Sequence, residues 1–188
     1  MRFRVLLLAL TLMPLVASCM SWTYKVPPYS PNYEFIDGLK GRSVEKIAVG
    51  EVQPRDPNSP VNKITHRVIE GEISLSVRDG TFADYLEEAI KYDLREIGIL
   101  DQGSRIQLNA TIIRNDVNLS KFSRGTGVME VNITIGKDGN VTFDRPYSVQ
   151  TKFLAGPLEY RHSEYPVLVR TLLEKVYADP EFFNAIKK

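Results

Sequence analysis

One cysteine in 188 residues excludes an internal disulfide, so the fold must stand on its apolar core. Histidine is nearly as scarce. His66 and His162 stand about a hundred positions apart, neither with a His, Cys, Asp or Glu at ligand spacing, so no metal site is expected. An excess of one charge is missing too, with 24 basic side chains against 23 acidic ones. A near-neutral chain without a basic stripe exerts no electrostatic pull on nucleic acid, and none is expected as a partner. No apolar run reaches the about 20 residues that a membrane-spanning helix needs.

Catalytic motifs are also lacking. There is no G-x-S-x-G, and no Ser/His/Asp set can be chosen among so many serines. Gly125-Thr126-Gly127 has no Lys-Ser/Thr after it, as a phosphate-binding loop requires. Glu87-Glu88 falls on the polar side of a helical pattern and reads as a solvated surface. No catalytic residue, metal ligand or cofactor-binding residue is therefore singled out, and a non-enzymatic protein without a cofactor is expected.

What the chain does have is a distinctive start. Arg2 and Arg4 precede an apolar run from Val5 to Ala17. That run is too short to span a bilayer but suits the apolar core of a secretory signal, which runs about 7–15 residues behind a basic start. Pro14 breaks the segment near its end. Val16, Ala17, Ser18 and Cys19 follow. This order of branched-apolar, small, small, Cys resembles the lipobox of bacterial lipoproteins. The resemblance implies cleavage between Ser18 and Cys19, a diacylglycerol thioether on Cys19 and acylation of the new amine. One buried chain binds a bilayer marginally, whereas two or more hold firmly, at about 0.8 kcal/mol per methylene. Met20 stands where an Asp would favour inner-membrane retention. This resembles outer-membrane sorting, with the inner membrane left open.

Three regions are expected: a signal peptide at 1–18, a lipidated Cys with a Pro/Tyr-rich tether at 19–42, and one domain at 43–188. Pro27, Pro28 and Pro31 among Tyr24, Tyr29, Tyr33 and Phe35 suggest an extended spacer, at about 3.1 Å per residue. Its aromatics have two readings, packing back on the domain or docking on a partner or headgroups.

The domain reads as alternating patterns. Val44–Val52 is β-branched and short, a strand ended by the three prolines of 53–60. Val61–Ile69 and Glu72–Val77 look extended, with a turn at Glu70-Gly71. Phe82, Tyr85, Leu86, Ala89, Ile90, Leu94 and Ile97 share one helical face, opened by Thr81 with Asp84 and closed by Gly98. Arg105–Leu119, Val128–Ile135 and Val141–Phe153 alternate with period two. They form an expected antiparallel meander, with a loop at 122–127 and a Lys137-Asp138-Gly139-Asn140 hairpin. A closing helix starts near Ser163 and Pro166, and Asp179-Pro180 starts a short last one. The fold class expected is α+β, a two-layer sandwich. A mixed or antiparallel sheet of about four to six strands carries two main helices on one face.

Four Asn-x-Ser/Thr triplets, at Asn109, Asn118, Asn132 and Asn140, read as polar strand faces that contact solvent, a sugar or a partner's strand. The element order is similar to that of YajG-type envelope lipoproteins and of auxiliary lipoproteins of envelope ABC transporters. The likeness rests on FADYLEEAIKYDLREIGI, the meander after it, and YPVLVRTLLEKVYADPEFFNAI. The anchor, the long tether and the lack of a catalytic cluster together point to a periplasm-facing, membrane-anchored binding or assembly module with an envelope protein partner. Two alternatives stand beside it: a lipid- or glycolipid-binding component of a transport system, and a periplasmic enzyme acting on envelope sugars.

Overall fold

The computed structural model describes residues 21–68, 71–118, 125–153 and 162–188, with the side chains of 66–68 and 71–72 left aside. Seven strands and four helices follow one another along them. They are β1 (Ser21–Lys25), α1 (Tyr33–Asp37), β2 (Ala48–Pro54), β3 (Ile64–Val68), β4 (Gly71–Ser76), α2 (Phe82–Ile97), β5 (Ile106–Asn118), β6 (Thr126–Lys137), β7 (Asn140–Lys152), α3 (Tyr165–Ala178) and α4 (Pro180–Asn184).

The molecule is α+β, as its patterning predicts, but its strands divide between two sheets. The larger runs β2-β5-β6-β7, and the smaller runs β1-β4-β3. The meander of β5, β6 and β7 is antiparallel throughout, whereas β2 joins β5 in parallel. The hairpin between β6 and β7 turns on Asp138 and Gly139, both at positive φ (53° and 83°), as a two-residue turn of matching twist requires. Period two then decides the rest. Met129, Val131, Ile133 and Ile135 point inward beside Ile106, Leu108, Ala110 and Ile112, and all eight are buried.

That inner face is covered by α2 and α3, which makes the second layer. Helix α2 opens with a capping box: Thr81 Oγ1 accepts from Asp84 N (3.2 Å), and Asp84 Oδ2 accepts from Thr81 N (2.6 Å). Gly98 ends it in the left-handed conformation, and the Lys46 ammonium donates to the Gly98 carbonyl. Its buried stripe is the expected one with Ala83 and Asp93 added and Tyr85 only half-buried. Helix α3 follows a 3-10 turn at His162–Glu164. Its cap position is Glu164 rather than Ser163, with no side-chain cap bond and proline in the first turn. Asp179 caps α4 through Glu181 N (2.9 Å). It also accepts from the Tyr147 hydroxyl (2.8 Å) and Arg145 Nη1 (2.9 Å), which pins the α3–α4 corner to β7.

Several boundaries differ from expectation, and β2 itself runs on through Gln53 and Pro54, paired with Thr111 and Ile112, into the expected proline loop. Val44 and Ile47 make only isolated bridges, to Lys187 and Leu100, before β2 begins. Pro60–Asn62 is a 3-10 turn, because proline there favours a tight turn over a ladder, and β3 starts at Ile64. Strand β6 begins at Thr126, so the expected loop loses its last two residues to the sheet. Ile69, Glu70, Leu119 and residues 122–124 of that loop lie outside the described residues.

The largest correction concerns residues 21–42, expected as a tether. Strand β1 pairs in parallel with β4 from Ser21↔Glu72 to Lys25↔Ser76, and Val26 N donates to Ser76 O at 2.8 Å. Val26, Ile36 and Leu39 are all buried in the one core. Three prolines do not keep this segment off the body, because its apolar side chains find a surface there. Burying each is worth about 1.5–3 kcal/mol.

Candidate functional site

Ser18 and Cys19, the sequence's candidate processing and lipid-attachment residues, lie outside the described residues. The chain is described from Ser21, two positions after Cys19 and already in a strand. The site is therefore the arm that leads away from that cysteine and the surface that holds it.

The arm is fastened at successive points along α2 and α3. Lys25 Nζ donates to Val77 O at 3.1 Å. The Tyr85 hydroxyl donates to Pro27 O at 3.0 Å. The Tyr29 hydroxyl donates to both oxygens of Asp93, at 3.0 and 2.9 Å. Asn32 caps α1 and donates from Nδ2 to Glu174 Oε1 at 2.9 Å. The Tyr33 and Tyr92 hydroxyls meet at 2.9 Å. Tyr29 sets its ring edge-on to Tyr92, with centroids 6.3 Å apart. The tether's aromatics thus pack back on the domain.

Asp93 is the chemical centre of this strap. Only 2% of it is exposed. Burial pushes its carboxyl up to about 7. The Tyr29 hydrogen bond pulls the other way, and the charges of Glu174 and Glu96 add to the rise. Burial and the carboxylate beside it raise Tyr29 well above an ordinary phenol. Tyr177 is raised likewise, by burial first and then by Asp93 and Tyr29, and its hydroxyl is buried with no hydrogen-bond partner. A perturbed carboxyl between phenols is a familiar catalytic signal. Here it is buried and bonded to Tyr29. Its evident work is to hold the arm.

A cleft of about 690 Å³ lies between the 59–65 segment and the far ends of β5 and β6. Its lining mixes Lys63, Arg114 and Asp116 with the apolar Val61, Ile64, Val117 and Val128. Arg114 is already paired with Asp116 at 2.5 Å. Asn115 is buried and satisfied, donating to Val61 O (2.9 Å) and accepting from the Tyr165 hydroxyl (3.1 Å).

The remaining sequence candidates fall into place separately. The His66 backbone sits in β3 opposite Ile73. His162 stacks on Tyr24 with centroids 5.6 Å apart. Among the described residues no three His, Cys, Asp or Glu side chains gather as a metal-holding group. Lys91 pairs with Glu87 (2.7 Å) and Glu88 (3.0 Å) on the surface of α2. Gly127 is a packing glycine: a Cβ there would stand 2.7 Å from Phe153 Cζ and 2.9 Å from Leu168 Cδ2, so β6 meets α3 closely only without a side chain. Asn109 Oδ1 accepts from Glu51 N (2.8 Å), and Asn132 Nδ2 donates to Asp144 Oδ1 (2.7 Å). Both belong to the sheet face that α2 and α3 leave open. Asn118 ends β5, and Asn140 starts β7.

The Tyr29–Asp93 pair is absent from the sequence candidates, yet a signal for it exists. Asp93 stands three residues after Ile90 and four before Ile97, inside the apolar stripe of α2. A carboxyl on that face requires a buried donor. No helix among the described residues is long and apolar enough to cross a membrane.

No family model matches the chain, and no curated protein sequence matches it. Likeness is found among solved structures. A minor lipoprotein from Acinetobacter baumannii superposes with a TM-score of 0.44 at 14% identity, over 77% of this chain and 98% of that one. A DUF330 protein from Xanthomonas campestris superposes with a TM-score of 0.60 at 13% identity, over 86% of this chain and 96% of that one. At such identity the second likeness is one of fold: nearly the whole of that DUF330 structure is matched by this chain.

Proposed function

We propose that the protein is an envelope lipoprotein. Acyl groups on Cys19 hold it at the periplasmic face of the outer membrane, and it works there as a non-enzymatic binding or assembly module for an envelope protein partner. The observation that carries this is the run Val16-Ala17-Ser18-Cys19 behind a basic and apolar leader, with the chain's only cysteine at the required position. The fold supports the binding role. A polar sheet face stays uncovered by α2 and α3, and Asp93, a strongly perturbed carboxyl, is spent on fastening the arm rather than opened to a substrate.

Intact-mass analysis of membrane-extracted protein tests the anchor. The expected species begins at Cys19 and carries added acyl mass. Cys19→Ala should lose that mass and leave the envelope fraction. Wild-type protein that retains residues 1–18 without acylation would end the proposal. The assembly role predicts that crosslinking before solubilisation traps one defined envelope protein, and recovery of uncrosslinked protein alone would count against it.

A further inference from the structure

Acylation of Cys19 is taken from the proposed function, and the consequence drawn here rests on it. Only Met20 separates Cys19 from Ser21, the first residue of β1. Two extended residues reach about 7 Å. A bilayer's polar layer is only about 5–8 Å deep on each side of its hydrocarbon core. Strand β1 is not free to pay out more chain, because it is hydrogen-bonded to β4 along its length and continued by Val26 N to Ser76 O. Beyond it the bonds from Tyr85 and Tyr29 hold the arm to α2.

We infer that the protein docks directly on the lipid surface, with the start of β1 at headgroup level and the Trp22 indole inserted among the headgroups. Trp22 is the chain's only tryptophan and is 48% exposed. It stands three residues from the acylated position, about 10 Å along an extended chain. An indole has an apolar body and one N–H donor, which suits the boundary between hydrocarbon and water. Ser21 and Thr23 beside it are exposed and polar, as a surface resting among headgroups should be. Among the described residues strand β1 is also an edge of its sheet. Unpaired strand edges invite association with other chains, and contact with headgroups and their water would satisfy this one. Among the described residues the other exposed large apolar side chains belong elsewhere: Tyr33 bonds Tyr92 on α2, and Val141 lies beside the β6–β7 turn.

Because Trp22 is the only indole, fluorescence reads this position alone. Full-length acylated protein, checked by intact mass, is reconstituted into phosphatidylethanolamine/phosphatidylglycerol vesicles with or without lipid brominated near the headgroup. A second form carries about ten Gly/Ser residues between Met20 and Ser21, enough to lift the domain clear of the polar layer. The expected result is several-fold stronger quenching by brominated lipid in the native form than in the spacer form, with aqueous acrylamide showing the reverse order. Equal quenching in two forms that both carry acyl mass would overturn the docking and leave the anchor standing. Absence of acyl mass on Cys19 would overturn both. Trp22→Ala, which removes the signal, should keep the acyl mass and the thermal midpoint, and a large drop in that midpoint would show the indole to be structural instead.

Discussion

Asp93 shows how one side chain ties the arm to the body and makes that tie depend on pH. Its folded value of about 7 lies above its ordinary 3.8, chiefly because burial penalises the charge. The sign follows from proton counts. Between those two values the folded state holds a proton that the unfolded state has lost, so stability falls as pH rises through that window. The protonated carboxyl's contribution is fully present below about 3.8 and gone above about 7. Asp93→Asn keeps an oxygen to accept from Tyr29 and removes the charge. It is expected to unfold at higher urea than wild type at pH 8, by about 2 kcal/mol, with the difference shrinking toward pH 5. Urea titrations at the two pH values give this as a difference of differences, which cancels every other titrating group. Tyr29→Phe removes the hydroxyl that donates to both oxygens of that carboxylate and should cost about 1–3 kcal/mol, more at pH 8 than at pH 5.

At the scale of elements, what was legible depended on whether a segment's partners were local. Helix α2 announces itself within eighteen residues, since Thr81, Asp84, the stripe and Gly98 all lie in one stretch. Strands β5, β6 and β7 do the same through alternation and the Asp138-Gly139 turn. Strand β1 does not. Its partner β4 lies some fifty residues on, and parallel pairing leaves no hairpin turn to read. The division into two sheets is hidden for the same reason, because alternation gives each strand a face without naming its neighbour. Gly127 tests how close α3 lies to β6. Gly127→Ala would force Phe153 or Leu168 to move, and about 1–3 kcal/mol of destabilisation is expected by thermal or urea unfolding. Thr81→Ala removes the hydroxyl half of the α2 capping box, leaves the backbone N–H of residue 81 to Asp84, and should cost about 1 kcal/mol, read in the same assay.

For the whole molecule, the arm and the body are one mechanical unit. Of the candidate site, Cys19 is proposed from a motif of four consecutive residues. The strap was not, because its tyrosines, prolines and asparagine have no period, and Asp93 and Glu174 lie 64 and 142 positions away. A spacer and a strap predict opposite results when the segment is removed. Val26, Ile36 and Leu39 together bury apolar side chains worth about 5 kcal/mol, a large share of the 5–15 kcal/mol that holds an ordinary domain. Deleting residues 20–42 from an unacylated Cys19→Ala chain that starts at residue 19 should therefore lower the thermal midpoint steeply or abolish the cooperative transition. A true tether could be removed without effect. Circular dichroism melts of the two chains decide between them. An unchanged midpoint would mean that the arm rests on the body without supporting it, and then nothing would hold β1 close to the bilayer.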